Sequence, residues 1–309
     1  MTTAATSLRG ARQLDHAALL YRDPDQLRRT ASAFVKEGTR AGEPVLAVLS
    51  QATREILGDV LVEAEIRDMA EAGRNPSRLI PMLIEWAAGH VGRGRVLSEP
   101  LWPGRGEAEV AESLRHEALL NHALADTALS VLCPYDVAHL DGEAIVGAEL
   151  THPRLIDAQG ERASTRYGDP LAVARGDHWP QSDPDPPISE LPFEGDLWAL
   201  RHALAGERLL CGLRPERRED LVFAVNEAAS NALRHGDGTC RARVWREDDR
   251  VVSEVRTASP IVDPLAGRRR PDPGAASGRG LWLINQVCDL VELRSGPAGA
   301  SLRMHVMVA

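Results

Sequence analysis

The chain has 309 residues, of which 43% are hydrophobic and 26% charged, with a net charge of −9. That is enough for two domains, each with its own core, and no apolar run approaches the roughly 20 residues of a membrane helix or the core of a signal peptide, so a cytoplasmic location without a membrane partner is expected. Residues 190–309 carry 17 acidic and 17 basic groups and residues 1–189 carry 28 acidic against 19 basic, so neither half has the basic excess of a nucleic-acid binder.

In chain order, residues 25–40 have helical spacing, with Leu27, Ala31, Phe34 and Val35 on one side. Residues 44–49 read as a buried strand. Helices follow over 54–62 and 77–89, then a strand at 94–98. Next come a long helix over 108–126, with Val110, Leu114, Ala118 and Leu119 as its apolar face, and a strand at 128–133. Strands separated by helices of this length predict an α/β domain with a mostly parallel sheet covered on both faces. Lysine occurs once, at Lys36, so no GxxxxGK[ST] phosphate loop is present. Cys133, Cys211, Cys240 and Cys288 form no CxxC pair and no metal-ligand spacing, and read as small buried hydrophobes.

The pattern dissolves between 157 and 190, where the acidic, proline-rich run 182–187 suits a solvated linker. The predicted organisation is a domain over 1–160, a linker over 161–189 and a second domain over 190–309. The second domain reads as a strand at 188–193 and helices at 196–211 and 214–235, the latter opened by Pro215. Strands at 240–247 and 250–256 join through a tight turn at Asp248-Asp249. A loop over 257–277, a helix at 280–288 and strands at 289–295 and 300–308 complete an α+β sandwich.

Glu227 and Asn231 lie four residues apart on the predicted second helix of this domain, so both project from one face. A carboxamide oxygen is a hard ligand for Mg²⁺, and a carboxylate beside it can take a proton from a hydroxyl. On spacing alone, an exposed Glu–Asn pair serves equally well. The run Asn226-Glu227-Ala228-Ala229-Ser230-Asn231-Ala232-Leu233-Arg234-His235-Gly236 resembles the N-box of the Bergerat-fold (GHKL) ATPases, especially their anti-sigma-factor kinase branch. The later run Ser277-Gly278-Arg279-Gly280-Leu281-Trp282-Leu283-Ile284 resembles their second glycine box. The resemblance implies a Bergerat sandwich in which Asn231 binds Mg²⁺ and Glu227 is the base. Gly278, Gly280 and Leu281 would border the triphosphate of Mg·ATP, with residues 264–276 as a lid. The first glycine box, an Asp-x-Gly-x-Gly in the family, is absent. Thr257 stands in the place of its aspartate, and Ser259 and Ile261 replace both glycines. A neutral hydroxyl accepts the adenine amino group roughly 1 kcal/mol less well than a carboxylate, and a β-branched residue resists the positive φ open to glycine. The expectation is a degenerate ATP site in a module that holds a sigma factor or an anti-sigma antagonist. The alternative is an active ATP-dependent protein serine kinase of an anti-anti-sigma partner.

In the first half, polar and aromatic groups gather near strand ends. Taken singly, Trp102 reads as core, His116 as part of a solvated helix face and Tyr135 as packed at a strand end. Together the runs His16–Tyr21, Glu99–Arg105, Arg115–Asn121, Cys133–Asp136 and Thr151–Pro153 resemble the MEDS sensory domain over about residues 15–155. The resemblance implies a RecA/KaiC-like sheet that lacks the phosphate loop and senses a small molecule. The candidate ligand residues are His16, Tyr21, Glu99, Trp102, Arg105, Arg115, Asn121 and Tyr135. Trp102 offers a stacking face, and Arg105 and Arg115 could grip an anion. The expected effector is therefore an anionic metabolite such as a nucleotide or sugar phosphate, the alternative being a domain that only forms a homodimer or presents a protein surface.

Overall fold

The computed structural model describes residues 13–176, 181, 184–185, 187–236, 238–272, 274 and 278–308. The chain divides into two compact units, Met1–Gly176 and Asp177–Ala309.

The first unit is built on a seven-stranded sheet of β1 (Asp15–Tyr21), β2 (Val45–Leu49), β3 (Glu65–Asp68), β4 (Gly94–Ser98), β5 (Leu129–Asp136), β6 (Arg154–Asp157) and β7 (Gly160–Ala163), in the order β3-β2-β4-β5-β1-β6-β7. All pairings are parallel except β6 with β7. Its helices are α1 (Pro24–Ala41), α2 (Gln51–Leu57), α3 (Met69–Ala72), α4 (Leu79–Ala88), α5 (Glu107–Ala123), α6 (Gly142–Thr151) and α7 (Pro170–Arg175). Every residue of β2 and β4 is buried, as expected of strands covered on both faces. One face carries Ala17, Leu19 and Tyr21 of β1, Ala47 and Leu49 of β2, Leu97 and Leu132, packed against Leu27, Ala31 and Val35 of α1. Residues of opposite parity, His16, Cys133 and Tyr135 among them, therefore face the other side, where α5 lies. No phosphate loop follows β1. Only Arg22 and Asp23 intervene before α1, and the Asp23 carboxylate caps the helix by accepting from the Gln26 amide at 2.8 Å.

Two expectations are corrected here. The helix over 107–123 has no solvated face, since every residue from Ala111 to Asn121 is buried, His116 included. The first unit also runs past 160, because the β6–β7 hairpin and α7 belong to it, and α7 packs on α5. Residues 182, 183 and 186 of the proline-rich run lie outside the described residues.

The second unit is an antiparallel sheet of β8 (Ser189–Leu191), β9 (Arg241–Glu247), β10 (Arg250–Thr257), β11 (Leu290–Gly296) and β12 (Gly299–Met307), in the order β11-β12-β10-β9-β8. Among the described residues three α-helices accompany it, α8 (Leu197–Gly206), α9 (Pro215–His235) and α10 (Arg279–Val287). Asp196 caps α8 through the Trp198 and Ala199 amides, and Asp248 takes φ 44° in the β9–β10 turn. One sheet face, with Ala242, Val244, Val251, Val255, Leu302, Met304 and Val306, forms a core with Leu221, Ala224, Val225 and Ala228 of α9 and Ile284 of α10. The other face is polar yet buried. Glu254 of β10 is directly opposite Arg243 of β9 and Arg303 of β12, and both guanidiniums lie about the Trp245 ring, 5.6 and 5.5 Å from its centroid. No helix among the described residues is long and apolar enough to cross a membrane.

Candidate functional site

In the second unit, α9 presents Glu227 and Asn231 to the first turn of α10. A methyl group at Gly280 would sit 3.0 Å from both Asn231 Nδ2 and Glu227 Oε2, a close approach that glycine makes without displacing either side chain. Gly278, immediately before α10, takes φ 88°, a conformation that L side chains rarely adopt. Glu227, Asn231, Gly278, Gly280 and Leu281 thus gather at one place, between a polar helix face and a helix N-terminus. Thr257 ends β10 beside the last turn of α9, where a methyl group at Gly236 would meet its Oγ1 at 3.2 Å. The Thr257 hydroxyl accepts from the Ser259 amide at 3.3 Å, and the Ile261 amide donates to Ser295 Oγ at 2.7 Å. Asp263 accepts from the Leu265 amide at 2.9 Å, as a turn residue does. Asn285 of α10 donates to the Gly267 and Leu281 carbonyls, both at 3.1 Å, tying the start of the lid segment to the helix. Pro273, Ala275 and Ala276 of that segment lie outside the described residues.

The first unit holds two polar groups on opposite faces of its sheet. On the α1 face, at the carboxyl ends of the strands, Glu99 accepts from the Ser50 amide at 2.8 Å and from Thr53 Oγ1 at 2.7 Å. Tyr21 and Asp136 lie close enough to feel its charge. Burial, then Glu99 and Asp136, pushes the Tyr21 hydroxyl above its ordinary pKa, and burial does the same to the Glu99 carboxyl. This is where open α/β sheets bind ligands. Nearby, Arg105 stacks on Trp102, 4.1 Å from guanidinium carbon to ring centroid.

On the α5 face, four fully buried groups converge from four elements: His16 of β1, Glu117 of α5, Cys133 of β5 and His152 just beyond α6. Glu117 Oε2 lies 3.0 Å from His16 Nε2, 3.6 Å from His152 Nε2 and 3.7 Å from Cys133 Sγ, and Sγ is 3.5 Å from His16 Nε2. Asn121, one turn beyond Glu117, orients the set. Its Nδ2 donates to the carbonyls of Glu117 and Thr151, which turns its Oδ1 toward His16 Nδ1 at 3.0 Å. His152 Nδ1 faces the Ala148 carbonyl at 2.9 Å. Both Nδ1 atoms therefore meet acceptors and carry the proton, and both Nε2 lone pairs point into the cluster. Burial works to raise the Glu117 pKa, but His152, His16 and His116 around it hold the carboxyl at about 2. Burial, then His16, drives His152 down to about 3, so that imidazole is neutral. Tyr135 lies at the edge, its hydroxyl 3.5 Å from Glu117 Oε1.

A family model described as MEDS, the methanogen/methylotroph DcmR sensory domain, matches residues 15–153, and one described as a histidine kinase-like ATPase domain matches residues 195–306. The chain joins a MEDS sensory domain to a histidine kinase-like ATPase domain. That pairing is the architecture of a regulatory signalling protein. No curated protein matches the chain.

In the MEDS domain the predicted ligand residues do not form one site. His16, Asn121 and Tyr135 belong to the buried cluster. Tyr21 and Glu99 lie on the opposite face, and Trp102 and Arg105 pack on each other in the loop after β4. Arg115 is buried on α5. Arg105, expected to grip an anion, is engaged with the protein through both terminal nitrogens, while its buried Nε has no hydrogen-bond partner among the described residues. Its guanidinium donates to the carbonyls of Pro100 at 2.8 Å and Gly73 at 2.5 Å and to Ser113 Oγ, while its stack on Trp102 occupies one ring face. Burial lowers its pKa to about 10, which leaves it charged at neutral pH. Arg105 is a brace between loops. Arg105→Ala is expected to cost the MEDS domain about 2 kcal/mol, through acceptors left unpaired, with Arg105→Lys recovering only part because one ammonium cannot reach all three. Urea unfolding of both variants checks this. The residues that sequence reasoning left out are Glu117, Cys133 and His152. All three stand inside the runs that carried the resemblance, but no spacing rule joins them.

Proposed function

We propose that the ATPase-like domain is a protein-binding module of the anti-sigma-factor type, and that the chain regulates transcription by holding a sigma factor or an anti-sigma antagonist under control of the MEDS domain. The observation that carries this reading is the segment from Thr257 to Ile261. Where base recognition in the fold needs a free carboxylate and flexible glycines, Thr257 spends its hydroxyl on its own turn and Ile261 is pinned to Ser295. A segment so held offers an adenine no carboxylate, while the helix–sheet scaffold behind it keeps a defined face for a partner. Effector and partner would be linked only through differential affinity for two states of the chain. The approach of Gly280 to Glu227 and Asn231 favours the second reading, an active Mg·ATP-dependent protein serine kinase, because that corner keeps the parts that handle metal and phosphate.

Calorimetric titration of the full chain with Mg·ATP separates the two. The expected result is no binding at millimolar nucleotide, with partner capture undiminished in Asn231→Ala. Micromolar binding that disappears in Asn231→Ala, together with phosphate transfer to a serine of the captured partner, would replace the first reading with the second.

A further inference from the structure

The His16–Glu117–Cys133–His152 cluster has a defect as a purely protonic network. Asn121 fixes His16 with its proton on Nδ1, and the Ala148 carbonyl does the same for His152. What faces the centre is therefore two imidazole lone pairs, a carboxylate oxygen and a sulfur. All are buried, and all lie within 4.8 Å of one another. A single proton between His16 and Glu117 settles one of these contacts and leaves His152 Nε2 without a donor. The Cys133 thiol, 3.7 Å from Glu117 Oε2, and the Tyr135 hydroxyl, 3.5 Å from Glu117 Oε1, are long contacts that leave the His152 lone pair unanswered, and four electron-pair donors converging in this way are the environment of a cation.

We propose that His16 Nε2, Glu117 Oε2, Cys133 Sγ and His152 Nε2 bind one divalent transition-metal ion of the zinc type within the MEDS domain. Distances support this. Ligand bonds of 2.0–2.3 Å arranged tetrahedrally put nitrogen and oxygen ligands about 3.3 Å apart and sulfur about 3.6 Å from either. Four of the six ligand pairs, at 3.0, 3.6, 3.5 and 3.7 Å, lie close to that set, and the remaining two are within 4.8 Å. Charge supports it as well. One thiolate, one carboxylate and two neutral imidazoles neutralise a divalent ion, so the loaded site can be buried without a net charge. On loading, the Cys133 thiol gives its proton to solvent as the sulfur–metal bond forms. Softness narrows the ion. A sulfur and two imidazoles suit zinc, whereas magnesium and calcium take oxygen ligands. Both imidazoles also have their second nitrogen held by an acceptor, the arrangement that orients histidine ligands. With four protein ligands and no solvent access the site is closed, so the ion would lock β1, β5, α5 and the end of α6 together.

The test uses the untagged full chain, stripped by chelator under reducing conditions and titrated with Co²⁺. The expected result is one equivalent bound, the visible bands of tetrahedral cobalt, a thiolate-to-cobalt charge-transfer band in the near ultraviolet, and loss of all of these on adding Zn²⁺. Cys133→Ser should abolish the charge-transfer band, and Cys211→Ser, at an exposed thiol, should leave it intact. Asn121→Ala should keep the band while weakening cobalt binding roughly 10- to 100-fold, the usual cost of an outer-sphere partner. The proposal is overturned if the chain, native by circular dichroism, takes up no cobalt or takes it up without the charge-transfer band. It is equally overturned if the band survives in folded Cys133→Ser. Should Cys133→Ser not fold, the wild-type titration and folded His152→Gln, which must lose tetrahedral binding, decide the matter. None of these readouts depends on whether the ATPase-like domain binds nucleotide.

Discussion

Replacing Glu254 by glutamine is expected to destabilise the ATPase-like domain by about 3–5 kcal/mol at neutral pH, the cost of breaking a buried ionic cluster by removing one partner. Glu254 is fully buried in the central strand β10 and accepts from Arg243 Nε at 2.5 Å, Arg303 Nε at 2.9 Å and Ser301 Oγ at 3.1 Å, with Arg256 Nε at 2.8 Å. Burial alone would raise its pKa, but the three guanidiniums hold it at about 2 against an ordinary 4.5. Glutamine keeps the shape and loses the charge, leaving Arg243 and Arg303, both beside Trp245, without the carboxylate that they share. Because the folded-state pKa is depressed, the stabilisation is complete above the unfolded-state value. It is lost progressively as pH falls from about 5 toward 2, and amounts to about 3 kcal/mol for a shift of this size. Urea unfolding at pH 7, 5 and 3.5 should therefore show the wild type losing its advantage over Glu254→Gln as the solution is acidified. A gap below 1 kcal/mol at pH 7, or one indifferent to pH, would mean that the arginines do not depend on this carboxylate.

The ATPase-like domain was legible because its signals are local. Alternating β-strands, a capping aspartate at 196, proline at 215 and a turn at 248–249 mark each element within a few residues of its position in the structure. Its candidate site is equally local. Glu227 and Asn231 share one helix face through their spacing of four, and Gly278 and Gly280 announce a helix that begins close to something. The MEDS domain resisted the same logic at its centre. The four groups of the buried cluster come from β1, α5, β5 and the end of α6, with His16 and Cys133 separated by 117 positions. Only the sheet order, which sets β1 beside β5 and under α5, brings them together. Metal-ligand spacing rules register ligands on one turn or one hairpin, so Cys133 read as an inert core thiol. Helical periodicity failed on α5 for a related reason. Polar residues at 112, 113, 115, 116, 117 and 121 look like a wet face, and the pattern does not distinguish a solvated stripe from a polar stripe that carries a buried network. The misplaced boundary has a simpler cause. β7 is exposed throughout and four residues long, so it shows none of the apolar alternation by which a strand is recognised.

Gly299→Ala is the second substitution with a large expected effect, and it tests whether the wall behind Thr257 is as rigid as the proposed function requires. Gly299 opens β12 with φ 122°, a backbone conformation that L side chains rarely adopt. A methyl group there would lie 2.1 Å from the Thr257 carbonyl oxygen and 2.9 Å from Ala258 Cα. Neither neighbour is the free end of a flexible side chain, and Thr257 is held in register by its pairing with Ala300. Overpacking and strained φ together predict a loss of about 3 kcal/mol, or a fall of roughly 10 °C in the melting transition of this domain. Hydrogen exchange locates the damage. Protection should drop at the paired ends of β10 and β12, around Thr257 and Ala300, while the β9–β10 turn keeps its own. If Gly299→Ala melts with the wild type and exchanges like it, the hairpin can shift away from Thr257. The segment from Thr257 to Ile261 would then be pliable enough to open for a nucleotide base, and the case for a closed adenine wall would lose its footing.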